Sequence, residues 1–264
     1  MSDMTGFLPT AQTGRVVTLA AALVVVSCSL GRSQETTRRD GRLKARPVTA
    51  TSMPKPGLTP LAIGKERDGL LYIPANLPAG PAPLVVLLHG AGGAAQGIMR
   101  RLSTVADSAG FVVLVPDSRG PTWDAIRGNY GPDIAFIDSA LKLVFSSISI
   151  DSARVIASGF SDGASYALGI ARVNGDLFTR VVAFSPGFVT HGAATGRPEV
   201  YITHGDADPI LPYEATSERI VVALKRAGYQ VTLRQFAGGH TVPPDLAIEA
   251  FRWATRPKEA KASR

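Results

Sequence analysis

The segment Gly159-Phe-Ser-Asp-Gly163 sets a serine between two glycines, just after the short apolar run Val155-Ile-Ala157. That spacing suits acyl transfer by a serine hydroxyl. A serine on a sharp strand-to-helix turn takes a strained backbone, and side chains two residues away would collide there. The turn lifts the Ser161 hydroxyl clear of a sheet and aims it at a helix N-terminus, where developing negative charge is favoured. The competing reading is a plain Gly-rich turn carrying one polar residue.

A serine hydroxyl is a weak nucleophile and needs a base. The chain has four histidines. His89 ends one apolar run, in Leu88-His-Gly90, and His204 ends another, in Thr203-His-Gly205. Each adjoins a glycine at a strand end, where its ring can bond loop backbone, so both read as structural. His191 lies in a polar loop without regular pattern. His240 follows the last strand candidate, in Phe236-Ala-Gly-Gly-His240. A base that reaches over Ser161 is best carried on such a loop, and His240 also satisfies the chain order serine, acid, histidine. The acid then lies between them. His204-Gly-Asp-Ala-Asp-Pro209 offers Asp206 and Asp208. Either can accept the Nδ1 proton of His240, fix its tautomer and stabilise the imidazolium. Pro209 biases Asp208 to an extended conformation. The aspartate not used would bond its own turn. Composition does not choose between them.

The oxyanion of the reaction needs donors. The N–H of Asp162, next after the serine, is one. The second is expected from His89-Gly-Ala-Gly-Gly93, whose glycines let backbone approach a substrate. The same loop reads Gly90-x-Gly92-x-x-Ala95, a loose match to a dinucleotide fingerprint. That reading fails on position: the strand before the loop is not the first, and the nearest acid, Asp107, falls within the following helical stretch.

The elements that must hold these groups alternate along the chain. Strand candidates are Leu70–Ile73, Leu84–Leu88, Phe111–Val115, Arg154–Ala157, Val181–Phe184, Val200–Thr203 and Val231–Phe236. Helical stretches fall near 95–109, 133–147, 162–173, 213–227 and 243–255, with Gly110 and Gly228 at helix C-terminal positions. Several strands are continuously apolar, as in strands buried on both faces. The pattern predicts an α/β fold with a mostly parallel central sheet and helices on both faces. Ligands bind beyond the carboxyl ends of such strands, where all the motifs above fall.

The chain has 264 residues and a formal charge of +7. The excess sits at the ends. Residues 31–66 carry eight Lys/Arg against three Asp/Glu, residues 256–264 four against one, and residues 67–255 fifteen against sixteen. The near-neutral central part argues against a nucleic-acid partner. Arg15 precedes the apolar run Val16–Ser27, too short for a comfortable span of about 20 residues but of signal-peptide length. The only cysteine, Cys28, follows, and Val25-Val-Ser-Cys28 resembles a bacterial lipobox. The expectation is an exported chain, in a bacterial periplasm or cell envelope or secreted, with Cys28 as a lipidation site that would tether it to membrane. A plain signal peptide or an uncleaved anchor are the alternatives. Residues 1–28 are thus read as signal, 29–66 as a disordered basic linker, 67–256 as the catalytic domain and 257–264 as a basic tail.

The ordered set Leu88-His-Gly-Ala-Gly-Gly93, Gly159-Phe-Ser-Asp-Gly163, His204-Gly-Asp-Ala-Asp208 and Gly239-His240 resembles the α/β-hydrolase superfamily. Within it, the chain is similar to the phospholipase/carboxylesterase group and to polyhydroxybutyrate depolymerase-like esterases, over residues 68–255. The resemblance implies the α/β-hydrolase fold and a serine carboxylic-ester hydrolase. It maps the acid to Asp208 and the second oxyanion donor to Ala91. His89, Gly92 and Trp123 would border the substrate cleft, with core packing the alternative for Trp123. No metal or organic cofactor is implied, and the partner would be a small ester. Two other readings stay open: a surface-tethered binding protein without turnover, and a serine hydrolase acting on phospholipid, polyester or peptide. The sequence shows neither an apolar lid helix nor a polymer-binding module. It does not indicate oligomeric state.

Overall fold

The computed structural model describes residues 40–50, 55–77 and 79–257. All the described residues belong to one compact unit. Eight strands make one sheet in the order β1(Gly57–Pro60), β2(Gly69–Ile73), β4(Val112–Pro116), β3(Ala82–Leu88), β5(Ile150–Phe160), β6(Arg180–Phe184), β7(Glu199–Gly205), β8(Val231–Phe236). From β4 to β8 every pairing is parallel, while β1 and β2 run antiparallel at one edge. The sequence pattern predicts the mostly parallel sheet. It misses β1 and the full length of β5, because neither has a continuous apolar signature.

Helices cover both faces. On one side lie α3(Pro132–Ser147), α4(Asp162–Val173) and α5(Ser217–Arg226), packed through Ile134, Leu141, Ile170 and Leu224 against Leu84, Val86, Ala157 and Ile202. On the other lie α1(Ala95–Ala109) and α6(Pro244–Thr255), packed through Met99, Ala106, Phe251 and Ala254 against Val85, Leu87, Ile156 and Phe184. Alternate residues of β3 and of Val155–Ala157 in β5 serve opposite cores, which is why those stretches are apolar at every position. Among the described residues no helix is long and apolar enough to cross a membrane.

The connection leaving β3 crosses to β4 on one side, and the connection leaving β5 crosses to β6 on the other. Their carboxyl ends therefore open a crevice between diverging loops, the place where parallel sheets take ligands. The loop after β3 holds Ala91, and the turn after β5 holds Ser161.

The disordered linker expected over 29–66 is corrected where the structure describes it. Leu43 and Ala45 are buried. The Leu43 N–H donates to Asn174 Oδ1, and those of Lys44 and Ala45 donate to Asp138 Oδ1. Arg42 and Arg46 pair with Asp176. The Asp68 carboxylate accepts from the N–H groups of Ala62, Ile63 and Gly64, closing the loop between β1 and β2. Residues 43–45 and 62–64 show no period because side chains, not a helix or strand ladder, take their backbone N–H groups. The signal and lipidation expectations, Cys28 included, and residues 258–264 of the basic tail lie outside the described residues.

Candidate active site

The turn between β5 and α4 is as tight as the glycine spacing requires. Ser161 has φ +57° and ψ −121°, one of three non-glycine residues with positive φ among those described. A Cβ on Gly159 would sit 2.3 Å from the Gly163 carbonyl carbon, and a Cβ on Gly163 would sit 2.2 Å from the Leu88 oxygen. Strand and helix backbones touch at both points, so only hydrogen fits. Gly163→Ala is expected to destabilise the fold by about 3 kcal/mol, the upper range for forced overpacking. Urea unfolding measures it, and a loss under about 0.5 kcal/mol would show that the backbones can part.

Ser161 is held through its own backbone. Its N–H donates to Phe184 O, and its carbonyl accepts from Ala164 and Ser165 N–H. A Cβ on Gly90 would lie 3.3 Å from Ser161 Cβ, so the loop after β3 runs beside the serine. Neither the Ala91 nor the Asp162 N–H has an acceptor among the described residues. Asp162 starts α4, where N–H groups lack intrahelical partners. Its carboxylate accepts from Thr122 Oγ1 at 2.6 Å.

His240 Nδ1 donates to Asp208 Oδ2 at 2.6 Å. The Asp208 side chain is sealed from solvent, while that of His240 is 14% exposed. Asp208 Oδ1 accepts the N–H groups of Ile210 and Leu211, both at 2.9 Å. Burial alone would raise its carboxyl; the donated N–H of Leu211 and the contact with His240 outweigh it and hold Asp208 below the usual value. Asp206 faces elsewhere, its Oδ1 accepting from Gly238 N–H at 3.1 Å, which ties the two loops together. The His240 ring lies against Phe160, centroids 4.6 Å apart.

Three expected cleft residues have different fates. His89, Gly90, Ala91, Ile98, Phe160 and Val242 line a cavity of about 380 Å³ beside the serine turn. His89 borders it, but its ring is occupied: Nδ1 bonds Gly90 O and Nε2 accepts from Ser118 N–H. Burial pushes the His89 ring down, so it is neutral and structural. Trp123 does not line the cleft. It is fully buried, donates Nε1–H to His89 O at 2.8 Å, and packs on His89 and Tyr166. A large aromatic with one polar edge is best used where that edge finds a carbonyl inside the core. Gly92 is not a lining residue either: its φ is +66° and its N–H donates to Pro121 O, which sets the loop's course. Asp107 lies inside α1 and accepts from the Tyr72 hydroxyl, so it is not placed for a nucleotide ribose. Among the described residues no group of three or more His, Cys, Asp and Glu is arranged to hold a metal.

Sequence reasoning missed the brace under this loop. Asp133 accepts N–H groups from Arg119 and Asp124, and Asp124 accepts from Gly131, Asp133 and the Tyr166 hydroxyl. Two acids within ten residues of a tryptophan look like solvent-facing charges; only the fold shows Asp133 buried and Asp124 half-buried. Burial pushes Asp133 up to about 6, against the N–H bonds that pull it down. The folded chain thus holds this proton to higher pH than the unfolded chain. Its stabilising share is complete below the ordinary value of 3.8 and is lost as pH rises through about 6, a change of at most about 3 kcal/mol. In urea unfolding from pH 4 to 7, Asp133→Asn should remove that slope, so the gap between variant and parent shifts toward the variant as pH rises. Parallel curves would disprove the coupling.

The sequence profile of the phospholipase/carboxylesterase family matches residues 124–246. The chain is 33% identical over 161 residues to a probable feruloyl esterase C of Aspergillus oryzae, covering 56% of this chain and 57% of that one. It is 29% identical over 167 residues to the putative esterase NocK of Nocardia uniformis subsp. tsuyamanensis, covering 58% and 48%. The chain thus spans about half the length of these curated relatives. Its fold is similar to the fluorophosphonate-binding serine hydrolase FphF of Staphylococcus aureus, with a TM-score of 0.61, 15% identity, and coverage of 77% of this chain and 100% of that one. It is also similar to a Bacillus cereus carboxylesterase, with a TM-score of 0.56, 21% identity, and coverage of 72% and 93%.

Proposed function

We propose that this chain, which has the α/β-hydrolase fold and is similar in sequence to esterases, hydrolyses carboxylic esters through a Ser161–His240–Asp208 triad and an acyl-enzyme. The observation that carries this reading is the 2.6 Å bond from His240 to a sealed, anionic Asp208, with the His240 ring against Phe160, the residue before a serine on a positive-φ turn. His240 Nε2 takes the Ser161 proton as Oγ attacks the ester carbonyl. Asp208 holds the proton on Nδ1 and stabilises the imidazolium. The Ala91 and Asp162 N–H groups receive the oxyanion. His240 then hands its proton to the departing alcohol, and water clears the acyl group by the same path. The Ser161 proton leaves on the alcohol and one from water replaces it, so the enzyme is restored, and the chemistry draws on no cofactor.

The apolar walls from Ile98, Phe160 and Val242 favour an acyl group of small or medium size. Relatives called feruloyl esterases make hydroxycinnamoyl esters a natural addition to the substrate panel. Export, with Cys28 as an anchor, is carried by the apolar run Val16–Ser27 alone; fractionation of cells making the full chain tests it. The test of function is hydrolysis of p-nitrophenyl esters from acetate to palmitate and of methyl ferulate. Labelling by a fluorophosphonate runs beside it. Turnover with labelling supports the serine esterase, and the chain-length optimum sizes the acyl cavity. Folded protein with neither turnover nor labelling would favour a binding protein on a hydrolase scaffold.

A further inference from the structure

His204 is the other histidine at the end of a strand, and it is fully buried under the acid loop. Its Nε2 lies 2.7 Å from Leu211 O and 3.2 Å from Asp208 Oδ2, the same oxygen that His240 contacts. Its Nδ1 lies 2.7 Å from Ser217 Oγ, in the first turn of α5. The carbonyl of Leu211 can only accept, so the proton sits on Nε2 and Nδ1 accepts from the Ser217 hydroxyl. Burial lowers the His204 ring, so it is neutral and adds no rival cation beside His240.

We propose that His204 is a positioning residue of the triad: its Nε2–H, shared between Leu211 O and Asp208 Oδ2, holds the carboxylate that orients His240. The proposal rests on the triad reading above. Asp208 then has four donors. Ile210 and Leu211 N–H hold Oδ1, and His204 and His240 share Oδ2. With both oxygens held, the carboxylate plane cannot turn. The bond to Leu211 O also closes the loop from β7 through Pro212 onto the strand that carries it. Ser217 fixes the tautomer, so α5 reports into the site through one ring. Asp206, the alternative acid, has no such support and bonds only the neighbouring loop among the contacts described.

The test is a set of folded variants assayed on the best ester. His204→Phe keeps an aromatic ring, slightly larger, and removes both nitrogens. It should lower kcat by about 10- to 100-fold, as loss of an outer partner of a functional group does, with KM within about threefold. His204→Gln restores an N–H at the Nε2 position and should recover to within about threefold of the parent. The specific readout is a cycle with Asp208→Asn. If His204 acts through Asp208, adding His204→Phe to Asp208→Asn changes kcat by less than about threefold. Leu224→Ala, in the core of α5, controls for stability: its melting temperature falls, but its kcat should hold. If His204→Phe matches parent kcat, or costs as much in the Asp208→Asn background, the positioning role is overturned while the triad stands. If Asp208→Asn itself is fully active, the triad reading has failed first.

Discussion

Ser161→Ala is expected to cut kcat on a good ester by about 10⁴- to 10⁶-fold. Alanine removes only Oγ, and the backbone stays where Phe184 O, Ala164 and Ser165 hold it. The Ala91 and Asp162 donors and the acyl cavity survive, so binding and polarisation of the carbonyl persist. What remains is the residual catalysis such donors supply without a nucleophile. KM should therefore change little beside kcat. Stability should change little as well, because serine and alanine pay the same steric cost at φ +57°. Thermal unfolding beside the kinetics separates loss of chemistry from loss of fold, and fluorophosphonate labelling should vanish with turnover. Retention of more than about one per cent of parent activity would remove Ser161 as the nucleophile.

The second large effect separates two carboxylates two residues apart. Asp208→Asn is expected to lower kcat by about 10⁴-fold, and Asp206→Asn by less than about threefold. An amide at 208 cannot serve every donor the carboxylate serves. If its oxygen stays on Ile210 and Leu211 N–H, its NH₂ faces His240 Nδ1 and the imidazole takes the wrong tautomer. If the amide flips, the two backbone N–H groups lose their acceptor inside a sealed site. Both outcomes misplace the base. At 206 the amide oxygen can still accept from Gly238 N–H, so the loop brace survives. Assays across pH 6 to 9 test the ranking, and the reverse order would move the acid to Asp206.

Much of the fold is legible in the chain. The runs at Leu84–Leu88 and Val181–Phe184 are apolar at every position because each strand faces two cores. A serine with glycine at both second neighbours marks a turn that no side chain could share, and the contacts at Gly159 and Gly163 bear that out. Less legible is the segment 40–50, whose anchors Asp138 and Asn174 lie about a hundred residues onward. The strand β1 lacks the apolar runs of the central sheet, since it lies at the exposed edge and meets neither core fully. Trp123 illustrates the limit for single residues. Its type suits a cleft or a core equally, and the His89 carbonyl that takes its indole N–H is 34 residues away.

By itself, then, the sequence determined what is local: the order of strands and helices, the serine turn, and the residue types able to act as base and acid. These follow from periodicity and from steric limits within a few bonds. The tertiary structure alone decided which aspartate meets His240, which histidine lies under it, and which aromatic is core. Those choices rest on contacts between the ends of β3, β5, β7 and β8. Such contacts come from the strand order 1-2-4-3-5-6-7-8, a product of all the packing at once, and no short stretch of chain encodes it.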